Sequence, residues 1–350
     1  MTLLVIRVIL NLIFMEDGMS KVLVTGASGF IGMHCIQQLI KKGYEVNSTM
    51  RSIERADEVR DGLTESGVSV EKLKLFKADL LNDDGWDEAV EGCEYMLHVA
   101  SPFVIDDQPE EFFTKPAVEG ALRAMRFAQK HGLKKVVLTS SFAAIGDTFD
   151  GTESFDESHW SDASNPEIAF YNKSKTLAEK AAWDFVKNNN ASFKLTAINP
   201  VAVTGPSLSK DIGISNSLVM KLINGKLPGI AKLHIGYVDV RDVAFAHIAA
   251  MENANSDGHR IVVSEKELWM NEAAKILREA GYKTPKVVMP KWVLKIVARF
   301  DKDMTAVVKM VNKKRCTHST KAKDILNWDP IPAEQSIVET ADQIKKYGLI

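Results

Sequence analysis

Tyr171 and Lys175, in the hexapeptide YNKSKT, place a phenol four residues before an ammonium. On a helix such residues share one face, so the lysine can tune the tyrosine as a proton donor or acceptor. The pair alone is weak, because many helices carry a solvated Tyr and Lys at this spacing. About thirty residues earlier, an apolar run ends in TSSFAA and supplies two hydroxyls, Ser140 and Ser141. Together these groups suit chemistry at a carbonyl. Adding hydride to it builds negative charge on oxygen, which a hydroxyl can stabilise and a phenol can protonate. A free tyrosine has a pKa of about 10, and a neighbouring cation, or the positive ring of an oxidised nicotinamide, favours its phenolate.

Such groups need a scaffold that presents them to a hydride source. The segment KVLVTGASGFIGMHCIQQLIKKGYEV reads as an apolar strand from Lys21, a glycine turn, and a helix with its apolar face at Ile31, Cys35, Ile36, Leu39 and Ile40, ending at Gly43. Gly26, Gly29 and Gly32 recur every third residue. That spacing allows a tight turn, close approach of the backbone to a pyrophosphate, and close packing of helix on strand. The anion would rest on the helix N-terminus, which puts Phe30 and Ile31 in the cofactor site as well. Strands are predicted near 72–80, 94–101 and 134–141, each after a helix-compatible segment. This alternation predicts an α/β fold with a Rossmann-type doubly wound parallel sheet, binding its ligand at the strand C-terminal ends. Those ends carry Asp79, Leu80, Ala100, Ser101 and Ser141. Asp79 suits either the adenine side of a dinucleotide or a helix cap.

NAD-binding turns place an acid about 20 residues on, against the ribose hydroxyls. Here the second strand ends Asn47, Ser48, Thr49, Met50, Arg51, with no acid before Glu54. Arg51 offers a cationic fork for a 2'-phosphate, with Arg55 as a second cation, so NADP(H) is the expected cofactor. The plainer reading is a surface arginine pair.

TGASGFIG, TSSFAA and YNKSK occur in the order and at about the spacing of the extended short-chain dehydrogenase/reductase superfamily, which the chain resembles over nearly all of residues 20–350. HVASPF, SKTLAEKAAWDF, NPVAVTGP, YVDVRDVAFAH and LNWDPIPAEQSIVETADQI look more closely like the dihydroflavonol-4-reductase group. That group takes in plant flavonoid and cinnamoyl reductases and microbial NADPH-dependent aldehyde and ketone reductases. The resemblance implies Ser141, Tyr171 and Lys175 as the catalytic set, with Ser140 as the alternative serine. It also implies a ribose contact for Lys175 and places Pro200 and Val203 near the nicotinamide carboxamide. Flavonoid-type members carry an Asn late in the serine strand, whereas this chain has Ile145-Gly146, which argues against a dihydroflavonol as natural substrate.

Residues 20–200 are expected to form the NADP-binding domain and 201–350 mainly a smaller substrate-binding lobe, with segments returning to the first. Phe103 and Val104, together with Phe142 and the loop at 207–216, are candidates for an apolar pocket wall suited to a small-molecule carbonyl. Leu177, Ala181 and Phe185 are expected as the core stripe of the tyrosine helix. Asp239 and Asp242 read as scaffold and capping residues, because no His or Cys cluster completes a metal site. No metal is expected.

Composition narrows the partners. The 44 basic and 46 acidic residues nearly cancel, and the only basic run, Lys313-Lys314-Arg315, reads as a solvated loop or helix end, so nucleic acid is not expected. Cys35, Cys93 and Cys316 are scattered and odd in number, which fits a reducing, cytoplasmic setting. The first 19 residues contain an apolar run of about 13 interrupted by Arg7, shorter than a membrane span. They are expected to be an extension, with Met19 an alternative start and a membrane anchor the minority reading. A monomer or homodimer is expected. The competing readings are a sugar-nucleotide epimerase, a 3-hydroxysteroid-type dehydrogenase and a non-catalytic NADP-sensing regulator. The lack of an acid after the second strand opposes the epimerase, and retention of Tyr and Lys opposes the regulator.

Overall fold

The computed structural model describes residues 20–101, 109–146, 152–300 and 303–350. The N-terminal extension and the candidate wall residues Phe103 and Val104 lie outside the described residues.

Seven parallel strands form the main sheet: β1 (Lys21–Thr25), β2 (Glu45–Met50), β3 (Leu73–Lys77), β4 (Tyr95–His98), β5 (Lys135–Thr139), β6 (Lys194–Pro200) and β7 (Arg260–Val263). Their order is β7-β6-β5-β4-β1-β2-β3. The chain leaves β1 toward β2 and β3, then crosses back to β4 on the other side, so the crevice at the C-terminal ends of β1 and β4 is the switch point where such sheets bind ligands. Val22, Leu23 and Val24 of β1 are wholly buried, as a central strand covered on both faces requires.

Each face of the sheet has its own core. On one side the helix Phe30–Lys42 packs with Val240–Glu252 through Met33, Ile36, Leu39, Val243 and Ala246. The first of these helices stops where the sequence predicts: Gly43 adopts φ 97 and its N–H bonds to the Ile40 carbonyl, while that of Tyr44 bonds to Leu39. On the other side Trp86, Met96, Met125 and Phe127 form the core, Trp86 stacking on Phe127 at 5.5 Å.

The tyrosine helix, Phe170–Asn188, lies against the helix Glu111–Lys130 through Ala178, Ala117 and Ala121. Small residues at that seam let the two helices approach closely. The expected apolar stripe Leu177, Ala181, Phe185 is only partly buried; the buried face is Ser174, Lys175, Thr176, Ala178, Glu179 and Ala182. The helix therefore turns polar groups inward: Ser174 and Thr176 bond to carbonyls of their own helix, while Lys175 and Glu179 find partners on other elements.

Beyond β6, strands Ala202–Thr204, His234–Asp239 and Lys266–Trp269 make a small separate sheet with its own apolar cluster. Of the basic run only Lys313 lies in a loop as expected: Lys314–Thr317 is a strand paired in parallel with Thr152–Phe155, and the Arg315 guanidinium lies 4.8 Å from the centre of the Phe142 ring. Its alternation was too short to read from sequence. Asp239 caps the helix Val240–Glu252 and holds Arg241, while Asp242 accepts from the Ile331 N–H. Among the described residues no cluster of His, Cys, Asp or Glu could hold a metal, and no helix is long and apolar enough to cross a membrane.

Candidate active site

A single cleft of about 950 Å³ opens over the C-terminal ends of β1, β2, β4 and β5. Gly26, Gly29, Phe30, Ile31 and Gly32 line one end, and Ser141, Tyr171, Lys175, Pro200 and Val203 the other. Arg51, Asp79, Leu80, Ala100 and Ser101 lie along it as well. Sequence reasoning singled out all of these residues, and the fold brings them to one place from segments up to 177 residues apart, the separation of Gly26 and Val203.

The glycine end is built from backbone. Gly26 has φ 84, a conformation that L side chains rarely adopt, and a Cβ there would sit 3.1 Å from the Ala100 Cα. A Cβ on Gly32 would run into the Gly26 carbonyl oxygen. No side chain caps the helix at Gly29, so the N–H groups of its first turn, at Phe30, Ile31 and Gly32, face the cleft without an intrahelical acceptor. Free amides at a helix N-terminus suit a pyrophosphate. Thr25 locks this end to β4: its hydroxyl oxygen accepts from the N–H of both Val99 and Ala100 at 3.0 Å and pairs with His98 Nδ1 at 2.9 Å. Having accepted two amide bonds, the hydroxyl donates to His98, and burial drives that imidazole down to about 3.

Arg51 is exposed in the cleft, with no protein partner among the described residues. Arg55 lines it too, but its guanidinium makes a two-point pair with Glu58 at 2.8 and 3.0 Å. Of the two cations suggested by the sequence, only Arg51 is uncommitted. Asp79 does both things weighed for it: it lines the cleft, and its Oδ1 accepts from the Leu81 N–H at 2.8 Å as a local turn cap. Its carbonyl takes the Trp86 indole N–H at 2.8 Å, which fixes the turn from below.

At the other end, the two serines separate cleanly. Ser140 also lines the cleft, but its Oγ donates to Glu179 Oε2 at 2.5 Å and so is committed to the carboxylate behind it. Ser141 Oγ accepts from the Ala143 N–H at 3.1 Å and is hydrogen-bonded to the Tyr171 phenol. Lys175, 8% exposed, reaches the Thr139 carbonyl at 3.5 Å. Burial pulls its pKa down to about 8, opposed by the charge of Glu179. Burial pushes the Tyr171 phenol up, with the Ser141 bond opposing. The expected depression is one by Lys175 together with an oxidised nicotinamide, and the protein's own groups act, on balance, the other way. Desolvation outweighs every other influence on this phenol, and the proton stays on oxygen at neutral pH.

Several cleft residues escaped the sequence reading. Phe112 and Pro116 enter from the helix Glu111–Lys130, where a proline inside the helix removes the bond to the Phe112 carbonyl; that interior proline was the signal available. Val201, Asp211, Ile214 and Ser215 also line the cleft, the last three from the predicted wall loop. Phe142 does not line it. Its ring packs against Phe155 at 5.7 Å within a small core that includes Ile145 and Val262. Glu179 and Arg260 were missed altogether. They form a buried pair, Nε to Oε1 at 2.6 Å, with side chains 8% and 0% exposed, and removing one member of such a pair costs roughly 3–5 kcal/mol.

The model of the NAD dependent epimerase/dehydratase family matches residues 22–264. A cinnamoyl-CoA reductase of Medicago truncatula is 36% identical over 334 residues, covering 93% of this chain and 95% of that protein. An NADPH-dependent methylglyoxal reductase of Saccharomyces cerevisiae is 34% identical, over 74% of this chain and 82% of that one. The crystal structure of yeast methylglyoxal/isovaleraldehyde reductase complexed with NADPH superposes with a TM-score of 0.79 at 30% identity, covering 94% of this chain and all of that one.

Proposed function

This chain belongs to the NAD dependent epimerase/dehydratase family, in its extended short-chain dehydrogenase/reductase branch, and from that premise we propose that it reduces an aldehyde or ketone to an alcohol, with Tyr171 as proton donor. NADP(H) is its cofactor, as in the NADPH-dependent relatives. The observation that carries the reading is the single cleft holding the glycine turn at one end and Ser141, Tyr171 and Lys175 at the other.

Bound NADPH supplies the hydride. Phe30, Ile31 and Gly32 would receive the pyrophosphate on their free amides, and Arg51 the 2'-phosphate. Ser141, whose oxygen already accepts from Ala143 and which bonds to the Tyr171 phenol, would turn its hydrogen from that phenol to a substrate oxygen placed between them. Tyr171 holds its proton because burial raises its pKa, which is the state a donor needs. Lys175 supplies a cation beside it that stabilises the phenolate left behind.

Apolar residues Phe112, Pro116, Val201 and Ile214 border the cleft and favour an uncharged carbonyl of modest size. Ile145 is buried and Gly146 is pressed against the Phe155 ring, so the position where flavonoid-type members carry Asn is core here. That supports the reading against a dihydroflavonol. Residues 20–200 are read as the cofactor domain and 201–350 as the substrate lobe, with β7 and the helix Val240–Glu252 returned to the first.

The test is loss of absorbance at the reduced nicotinamide band, with NADPH and NADH separately, across aldehydes, diketones and cyclic ketones. Turnover favouring NADPH is expected. Tight NADPH binding with no oxidation by any carbonyl would refute the reading.

A further inference from the structure

Behind the reacting side chains lies a polar cluster centred on Glu179, whose meaning for chemistry rests on the reductase reading above. Glu179 follows Lys175 by one turn on the same helix, with no exposed side-chain surface. Its Oε2 accepts from Ser140 Oγ at 2.5 Å and Asn199 Nδ2 at 2.8 Å. Its Oε1 accepts from Arg260 Nε at 2.6 Å and Trp183 Nε1 at 3.2 Å. Asn199 Nδ2 also donates to the Ser141 carbonyl at 3.1 Å. One carboxylate thus joins the tyrosine helix to β6, to β7 and to the turn that carries Ser141.

A buried ion pair is a poor way to gain stability, since apolar residues of similar volume often serve as well or better. Four residues back on the same helix, and lining the same small cavity, is the Lys175 ammonium, whose one hydrogen bond among the described residues is the long contact to Thr139. We propose that Glu179 is a positioning residue for the reaction, its carboxylate keeping Lys175 in the ammonium form and bracing the backbone behind Ser141.

The surroundings of Lys175 support this. His98 faces the same small cavity from β4 and is neutral at physiological pH. Ser140 and Thr139 face it from β5 and carry no charge. Tyr171 shares the wider cleft and keeps its proton. Arg260, the cation on the carboxylate, also binds the carbonyls of Glu157, His159 and Ala144, and stacks on Trp160 at 3.6 Å. The charge acting on Lys175 is that of Glu179, and it opposes the effect of burial.

The test reads Lys175 directly. The full-length wild type and Glu179→Gln are trace-acetylated with acetic anhydride across pH, and the Lys175 peptide is quantified by mass spectrometry. The alkaline fall of kcat/KM with NADPH and the best carbonyl is followed in parallel. Losing the carboxylate should lower the labelling midpoint by about one pH unit, and the alkaline limb should move down with it. A general packing defect would reduce turnover at every pH without moving that limb. Should Glu179→Gln fail to fold, the double variant Glu179→Gln with Arg260→Gln strands no guanidinium and should show a lowered midpoint too, by less than the single change because a cation is lost with the carboxylate. A midpoint that stays or rises in the variant that folds overturns the proposal, as does a lowered midpoint with an unmoved limb. Labelling needs no turnover, so a wild type that oxidises no NADPH would refute the reductase reading while still deciding whether Glu179 is coupled to Lys175.

Discussion

The two ends of the cleft are made of different materials. The glycine end is backbone: three glycines, a helix start with uncapped amides and a threonine that ties two strands together. The tyrosine end is a set of ionisable side chains, the half-buried Tyr171 and the buried Lys175 and Glu179, whose states depend on partners far away in sequence, such as Arg260, 81 residues from Glu179. Backbone geometry tolerates almost no added volume but is insensitive to pH. Buried charges tolerate isosteric change in shape yet respond to every change in charge. Substitutions should therefore fail in different ways at the two ends.

The largest effect belongs to the tyrosine end. Tyr171→Phe removes the proton and little volume, so turnover should fall about 10²- to 10⁴-fold while NADPH affinity, measured by calorimetry, stays nearly constant. Equal loss of both would mean that the two ends are not separable. At the glycine end, Gly32→Ala drives a methyl into the Gly26 carbonyl. It should cost about 1–3 kcal/mol in chemical denaturation and weaken NADPH binding, with no change in the pH profile of whatever turnover survives. Arg51→Ala should weaken NADPH roughly tenfold, as expected for loss of a charge-assisted bond, and leave NADH unchanged. Equal loss with both cofactors would remove Arg51 from the 2'-phosphate site. The mildest change is pH itself. Lys175 loses its proton as pH rises through about 8, so wild-type kcat/KM should fall about twofold between pH 7 and 8 and continue down above it. A flat profile to pH 9 would contradict a required ammonium.

This difference in materials also decides what could be read from the sequence. Gly26, Gly29 and Gly32 announce themselves, because turn, phosphate and packing each demand a missing side chain at a fixed interval. The strand alternation and the helix stop at Gly43 are equally local. Tyr171 and Lys175 become legible only behind that turn, since four-residue spacing is common on helices. Ser140 and Ser141 cannot be told apart by spacing; both line the cleft, and they are separated only by the bond that commits the Ser140 hydroxyl to Glu179, a contact made only in the folded chain. Nothing local in the sequence marks Glu179 or Arg260, because the pair forms only when the tyrosine helix meets β7 in the folded chain. The inward polar face of the tyrosine helix inverted the expected stripe for the same reason. Phe142 was misread because an aromatic beside a candidate catalytic serine looks like pocket wall, whereas its ring packs against Phe155. Pro116 went unused, although a proline inside a helix is itself a sign that something other than helix stability is served there.

The central claim, hydride transfer from NADPH to a carbonyl, is tested most directly by isotope. NADPH carrying deuterium at the transferred position is incubated with the wild type and isovaleraldehyde, or the best carbonyl of the panel, and the alcohol is analysed by mass spectrometry. One deuterium on the new carbinol carbon for each NADPH consumed is the expected result. Unlabelled alcohol, or cofactor that stays reduced while the substrate is merely isomerised, would contradict it.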